Sequence, residues 1–238
     1  MAYKKETITK TAKELRGLVN KYREQIEKGT ISKGVVISCG NVKIGKVLNV
    51  SIAPIITCAN CKKCKGYCYD IKACLLRENV RNARAYNTAL VLYNREKYFA
   101  DIRAKLAKRR KNKYFRWHVA GDIIDTKYFS EMVRIAREFS EFTFWTYTKV
   151  YGIVNKYCDI NGKESIPENL HIMFSKWDGL PMSNPYRFPV FACRLKNGNV
   201  DTSDDWFAKT FKCPGNCDIC KEKKCGCIGG QDTYADEH

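Results

Sequence analysis

No stretch of this 238-residue chain approaches the length of a membrane span, and its N-terminus, MAYKKETITK, lacks the apolar run of a signal peptide. The first absence argues against a helical membrane protein, and the second leads to a cytoplasmic expectation. No internal repeat or low-complexity segment stands out. Acidic residues are scarce: 25 Asp and Glu face 43 Lys and Arg, for a net charge of +18. Cysteine, by contrast, is abundant at 13 residues. In a reducing compartment an odd number of thiols is poorly explained as a disulfide framework, and metal binding becomes the expectation.

The charge is uneven. Residues 201–238 carry a net −3, so the first 200 hold +21, and residues 95–116, REKYFADIRAKLAKRRKNKYFR, place ten bases against two acids. Such a field attracts polyanions, nucleic acid foremost, although a solvated helix face has the same composition. Tyr93, Tyr98, Tyr114 and Phe115 interleave with these bases and could stack on nucleobases, but their spacing fits burial equally well.

At 45% apolar residues the chain can bury a full core. Thr11 with Glu14 fits a capping box, opening an amphipathic helix through Leu15, Leu18, Val19, Tyr22 and Ile26 that ends near Gly29. KGVVISCGNVKIGKVLNV reads as two strands around a Gly-Asn turn, with Cys39 a lone buried thiol, and the second strand is expected to run through Ser51 to Thr57. Residues 73–110 are helical in pattern with a break near Asn94, and Arg81, Arg84 and Asn87 lie on adjoining turns. YFRWHVA, FTFWTYT and NLHIMFS are further strands separated by helices, the first of those helices capped by Asp125 or Thr126. This order predicts an α/β fold: a partial (β/α) barrel or an open parallel sheet. VFACRLKNGNV reads as a hairpin. Residues 1–192 are expected to form the α/β core, and 193–238 a small cysteine-rich metal-binding appendix with an exposed tail, GGQDTYADEH.

Two cysteine groups carry the chemistry. In TCANCKKCKGYCY, which follows an apolar strand-like run, Cys58, Cys61, Cys64 and Cys68 fall within eleven positions. The group parses as Cys58-x5-Cys64-x3-Cys68 with Cys61 spare, or as Cys58-x2-Cys61-x2-Cys64 with Cys68 spare. A structural zinc normally takes two pairs from separate knuckles, whereas three thiolates from one loop suit a cubane cluster with an open iron. In CPGNCDICKEKKCGC, Cys213, Cys217, Cys220 and Cys225, with Cys227 as an additional thiol, could complete a [4Fe–4S] cluster or close a zinc site. Cys74, Cys158 and Cys193 read as structural thiols, with Cys193 a candidate extra ligand of the second site. His118 and His171 fit the core, and Trp145 and Tyr147 share one strand face, where packing explains them as well as stacking does.

The sequence resembles the phage gene product 88 family over roughly residues 40–225, through GNVKIGKVLNVSIAPIITC, CKGYCYD, NVRNARAYN, RWHVAGDI, FTFWTYTK and CPGNCDICKEKKC. Members of that family resemble, more remotely, the radical S-adenosylmethionine superfamily. The resemblance implies that Cys64-x3-Cys68-Tyr69 ends a cluster-binding loop with Cys58 as its third ligand, a departure from the usual CxxxCxxC. It also places Gly121-Asp122 where the superfamily binds the methionine amino group, and Ser175 where it touches the ribose. Under it, S-adenosylmethionine is the cofactor, a reductant is required, and cleavage of the sulfonium generates a radical that abstracts hydrogen from substrate. Three functions are compatible with these readings: an iron–sulfur enzyme of this type acting on a nucleotide or nucleic acid, a zinc-stabilised nucleic-acid-binding protein without catalysis, and an iron–sulfur redox protein. A phage-encoded chain would work in the host cytoplasm.

Overall fold

The computed structural model describes residues 3–40, 44–61 and 64–237. Eight strands form a sheet in the order β1-β2-β3-β4-β5-β6-β8-β7. They are β1 (Ile37–Ser38), β2 (Leu48–Val50), β3 (Tyr114–Trp117), β4 (Thr143–Thr148), β5 (Leu170–Lys176), β6 (Val190–Arg194), β7 (Phe211–Lys212) and β8 (Thr233–Asp236). From β3 onward the pairings are parallel: β3 with β4, β4 with β5, β5 with β6, and β8 with both β6 and β7. The fold is mixed α/β, and the sheet stays open, with β1 and β7 at its two ends. The chain divides into two compact units: residues 1–38, 50–110 and 118–124, and residues 39–49, 111–117 and 125–238.

The first unit is built on helices. In α1 (Lys5–Glu27) the apolar stripe buries Ala12, Leu15 and Val19, and Leu18, Tyr22 and Ile26 pack beside them. The expected capping box is not used. The backbone is already helical from Lys5, and the Thr11 hydroxyl donates to the Thr7 carbonyl at 2.8 Å instead. Next come α2 (Tyr69–Leu76), α3 (Glu78–Tyr93) and α4 (Arg95–Ala107). The break near Asn94 is present, and its side chain caps α4 by accepting from the Lys97 N–H at 3.3 Å. A second break falls at Arg77, whose extended backbone separates α2 from α3.

The strand expected to reach Thr57 stops at Val50. Pro54 has no N–H for a ladder, and the β-branched Ile55 takes φ +68°, a conformation that no strand accommodates. Cys39 is exposed rather than buried, since it lies just beyond the two-residue β1. Asn41 of the expected Gly-Asn turn falls outside the described residues.

The second unit carries the parallel strands and their crossover helices, α5 (Thr126–Glu138) and α6 (Tyr151–Asn161). Asp125 caps α5, accepting from the Tyr128 N–H at 2.7 Å. Phe129, Met132, Val133 and Ala136 are buried along α5, and Phe139 ends it. Asn169 closes the turn into β4, its amide donating to the carbonyls of Ala136 and Phe142 at 2.9 Å. The expected hairpin at 190–200 does not form. The two edges of β6 are taken by β5 and β8, so no edge remains for a returning strand. The short helices α7 (Asp204–Lys209) and α8 (Cys217–Lys223) follow. Nor is the C-terminal segment an exposed tail: Thr233 and Tyr234 are buried, and Tyr234 packs with Ala192 and Phe207.

Candidate metal centres

The first cysteine group belongs to the first unit. After Val50 the chain leaves the sheet, and the backbone N–H of Ile52 donates to the Ala120 carbonyl at 3.1 Å, while the Ala120 N–H donates to the Ser51 hydroxyl at 3.2 Å. The next residue, Gly121, has φ +85°, and a Cβ there would lie 2.3 Å from Cγ1 of Ile52 and 2.9 Å from Oγ1 of Thr57. Only glycine allows this turn to approach the stretch preceding Cys58 so closely. Asp122 is buried beside it, with one carboxylate oxygen accepting from the Ile123 N–H at 2.7 Å. Tyr69 is more than half exposed, and its phenol donates to the Val119 carbonyl. The cysteine loop, Tyr69 and the Gly121-Asp122 turn are therefore brought together.

Within the loop, hydrogen bonds with the thiols of Cys58 and Cys64, together with burial, push the Cys61 thiol far up. Burial raises Cys68 to about 11, with Asp70 and Cys58 adding to the effect and the backbone amides of Asp70 and Ile71 opposing it. Lys62 and Lys63, between Cys61 and Cys64, fall outside the described residues. Among the described residues no group of three or more Cys, His, Asp or Glu side chains is placed to hold a metal ion, so the thiols are neighbours without forming a closed coordination shell.

Behind the loop, Asp70 and Arg84 form a buried two-point ion pair with both N···O distances 3.3 Å. The Cys74 thiol donates to Asp70 at 3.8 Å, and burial followed by the Asp70 charge raises Cys74 to about 12. Arg81 donates to the Cys74 carbonyl at 3.2 Å and pairs with Glu14. Buried Asn87 donates to the carbonyls of Val36 and Ser51 at 2.8 and 2.9 Å. These three residues, expected on adjoining turns, brace the unit.

The second cysteine group belongs to the second unit. Cys220, Cys227 and Ile228 are buried with Val47, Trp145 and Met173, and Cys217, Cys225, Tyr114, Tyr147, Phe191 and Phe211 pack against them. The parallel register explains the gathering. Arg116, Trp145 and His171 are partners across β3, β4 and β5, and Tyr147 is opposite Met173, so these side chains share one sheet face. Burial, then Cys227, raises Cys217 to about 11, while Arg116 works against the rise. Cys220 is pushed up by burial and by its hydrogen bond with Cys225. Burial also raises Cys227, which the Tyr147 phenol and Arg116 partly offset. The guanidinium carbon of Arg116 lies 4.8 Å from the centre of the Tyr147 ring. Trp145 is wholly buried, and its indole Nε1 has no hydrogen-bond partner.

Other candidates find plainer places. Ser175, in the second unit on β5, is buried, and its carbonyl accepts from the Tyr151 phenol at 2.6 Å. Cys193 sits on β6 and is raised to about 11 by burial, then by Glu237 and Asp236. His118 is buried with φ +52°, its N–H donating to the Val50 carbonyl at 3.0 Å. His171 is half-buried, and burial lowers its pKa. Tyr98 and Phe115 are core residues, whereas Tyr93 is exposed. The sequence reading missed Arg116, whose place beside the second thiols was hidden in the basic run; its alternation with Tyr114 on β3 was the available signal.

Residues 7–181 match the family model described as Gene product 88. The chain belongs to the gene product 88 family. No curated protein and no solved structure matches it significantly. The gene product 88 match begins earlier than the motif resemblance and ends before Cys213, so it includes the first cysteine group and Gly121-Asp122 but not the second group.

Proposed function

We propose that this gene product 88 protein is an iron–sulfur protein of the radical S-adenosylmethionine type, in which Cys58, Cys64 and Cys68 hold a [4Fe–4S] cluster with one iron left open and Cys61 spare. The observation that carries the reading is the meeting, within the first unit, of the cysteine loop with the Gly121-Asp122 turn through the Ile52–Ala120 hydrogen bond and the close approach of Gly121 to Ile52 and Thr57. The strand order supports it, because β3, β4, β5 and β6 follow one another in parallel as a βα series requires. The donor set suits the group as well: neighbouring thiols with raised pKa values repel one another's ionisation, and bound iron relieves that conflict.

A cluster of this kind supplies, when bound, an electron at a vacant coordination position. The chain would do the rest. Asp122 is buried next to the loop and would accept from the ammonium of S-adenosylmethionine, while Gly121 keeps the backbone low enough for the cofactor to approach. Tyr69, fixed through its phenol, would shield one side of the loop. Cys213, Cys217, Cys220 and Cys225, with Cys227, would hold a second cluster. A nucleotide or nucleic acid is the proposed substrate class, on the strength of the basic run, where Lys105, Lys108 and Arg110 are exposed.

The test is anaerobic purification with iron and sulfide analysis. Brown protein with roughly four to eight irons, reduced in content by Cys64→Ala, supports the proposal. Colourless protein with stoichiometric zinc overturns it in favour of a zinc-stabilised nucleic-acid binder. Iron without reductive cleavage of S-adenosylmethionine leaves a redox protein in its place.

A further inference from the structure

The buried indole N–H of Trp145 lacks a hydrogen-bond partner, and its surroundings are particular. An indole N–H is a donor only, and burying it unpaired is costly. The side chains gathered around Trp145 are apolar or aromatic except for the thiols of Cys217, Cys220, Cys225 and Cys227. A protonated thiol is a weak acceptor, whereas a metal-bound thiolate or an inorganic sulfide is a good one. Two strands away from any solvent-facing role, the same sheet face offers two more groups of matching character. The Tyr147 phenol is hydrogen-bonded with Cys227, and the Arg116 guanidinium acts on both Cys217 and Cys227.

We infer that the second cysteine group is a redox site tuned from the sheet: Trp145 and Tyr147 donate hydrogen bonds to its sulfur atoms, and Arg116 offsets its negative charge. This rests on the iron–sulfur reading of that group. Each of the three favours the more negative, reduced state of a sulfur-ligated cluster, so together they raise its reduction potential. Trp145 and Tyr147 are positioning residues and not ligands. The arrangement also explains why a strand of an α/β sheet places a tryptophan with an unmet donor in an otherwise apolar cluster, since packing alone would be served by phenylalanine.

The experiment uses the full chain carrying Cys58→Ala, Cys64→Ala and Cys68→Ala, so that only the second group can hold iron. Its iron content, midpoint potential in a dithionite titration and paramagnetic spectrum are compared with those of the same chain carrying Trp145→Phe or Tyr147→Phe. The expected result is unchanged iron per chain with a midpoint shifted to more negative potential in both variants. Unchanged iron with an unchanged midpoint overturns the inference and leaves the iron–sulfur reading intact. Failure of the parent chain to bind iron, or its isolation with zinc, removes the iron–sulfur reading of this group and the inference with it. Should Trp145→Phe fail to fold by circular dichroism, the Tyr147→Phe comparison decides, because it deletes one hydroxyl and keeps the ring.

Discussion

The N–H of Ile52 donates to the carbonyl oxygen of Ala120 at 3.1 Å, joining the approach to the first cysteines to the turn that carries Gly121 and Asp122. The two segments are nearly seventy residues apart, and what lets them meet is the absence of a side chain at Gly121. Alanine there must adopt φ +85° and place Cβ 2.3 Å from Cγ1 of Ile52. Left-handed backbone costs roughly 1–2 kcal/mol for a non-glycine residue before the clash is counted. Gly121→Ala is expected to lower the melting temperature of the metal-free chain and to reduce iron uptake by the first group. A variant with wild-type melting and wild-type iron would mean the approach is not needed.

The Asp70–Arg84 pair lies directly behind the cysteine loop, with the Asp70 side chain 3% and the Arg84 side chain 14% exposed. Removing one partner of such a pair leaves an uncompensated buried charge, at about 3–5 kcal/mol. Arg84→Ala is therefore expected to be far more destabilising than the double change Arg84→Met with Asp70→Leu, as read by urea unfolding. Equal losses in the two variants would show that the charges do not depend on each other.

Cys158 offers a pH test away from both cysteine groups. It is buried on α6, and burial, followed by Asp159, raises it from an ordinary value of 9.0 to about 11. The folded chain holds the thiol protonated where the unfolded chain loses its proton. Its contribution is thus fully present below pH 9 and is lost as pH rises toward 11. A two-unit shift corresponds to about 2–3 kcal/mol. Unfolding free energy of the metal-free chain, measured from pH 8 to 11, should fall more steeply in wild type than in Cys158→Ala. Parallel curves would contradict the assignment.

Cys227 is buried with Trp145 and Met173, and its pKa is influenced by Tyr147, Arg116 and Cys213, whereas Cys225 is hydrogen-bonded with Cys220. Cys227→Ala is expected to cost the second group more metal than Cys225→Ala. Metal analysis of the two single variants checks this, and the reverse order would make Cys225 the more important thiol.

Much of the fold could be read from local signals that tertiary structure left alone. Asn94 and Asp125 are caps whose side chains bond the N–H groups ahead of them, and the stripe from Ala12 to Ile26 has a single inward face. Where several residues compete, the sequence misled. Thr11 looks like a cap, yet the helix starts two turns earlier and its hydroxyl turns back to Thr7. The run from Ser51 to Thr57 is apolar enough for a strand, but Pro54 and the left-handed Ile55 convert it into the loop that delivers Cys58. The segment after Val190 looked self-contained because its turn residues are local, while its strand partners, β5 and β8, are distant. Cysteine spacing identified both groups of thiols. It could not reveal that Arg116 and Trp145 stand beside the second, because that follows only from the register of β3 on β4.

The most direct measurement is the paramagnetic resonance spectrum of the anaerobically reduced protein before and after addition of S-adenosylmethionine. An open iron held by Cys58, Cys64 and Cys68 predicts a [4Fe–4S] signal whose g-values shift on addition, with the shift lost in Asp122→Ala and the signal lost in Cys64→Ala. A spectrum that S-adenosylmethionine leaves unchanged in protein with a full complement of iron would contradict the account.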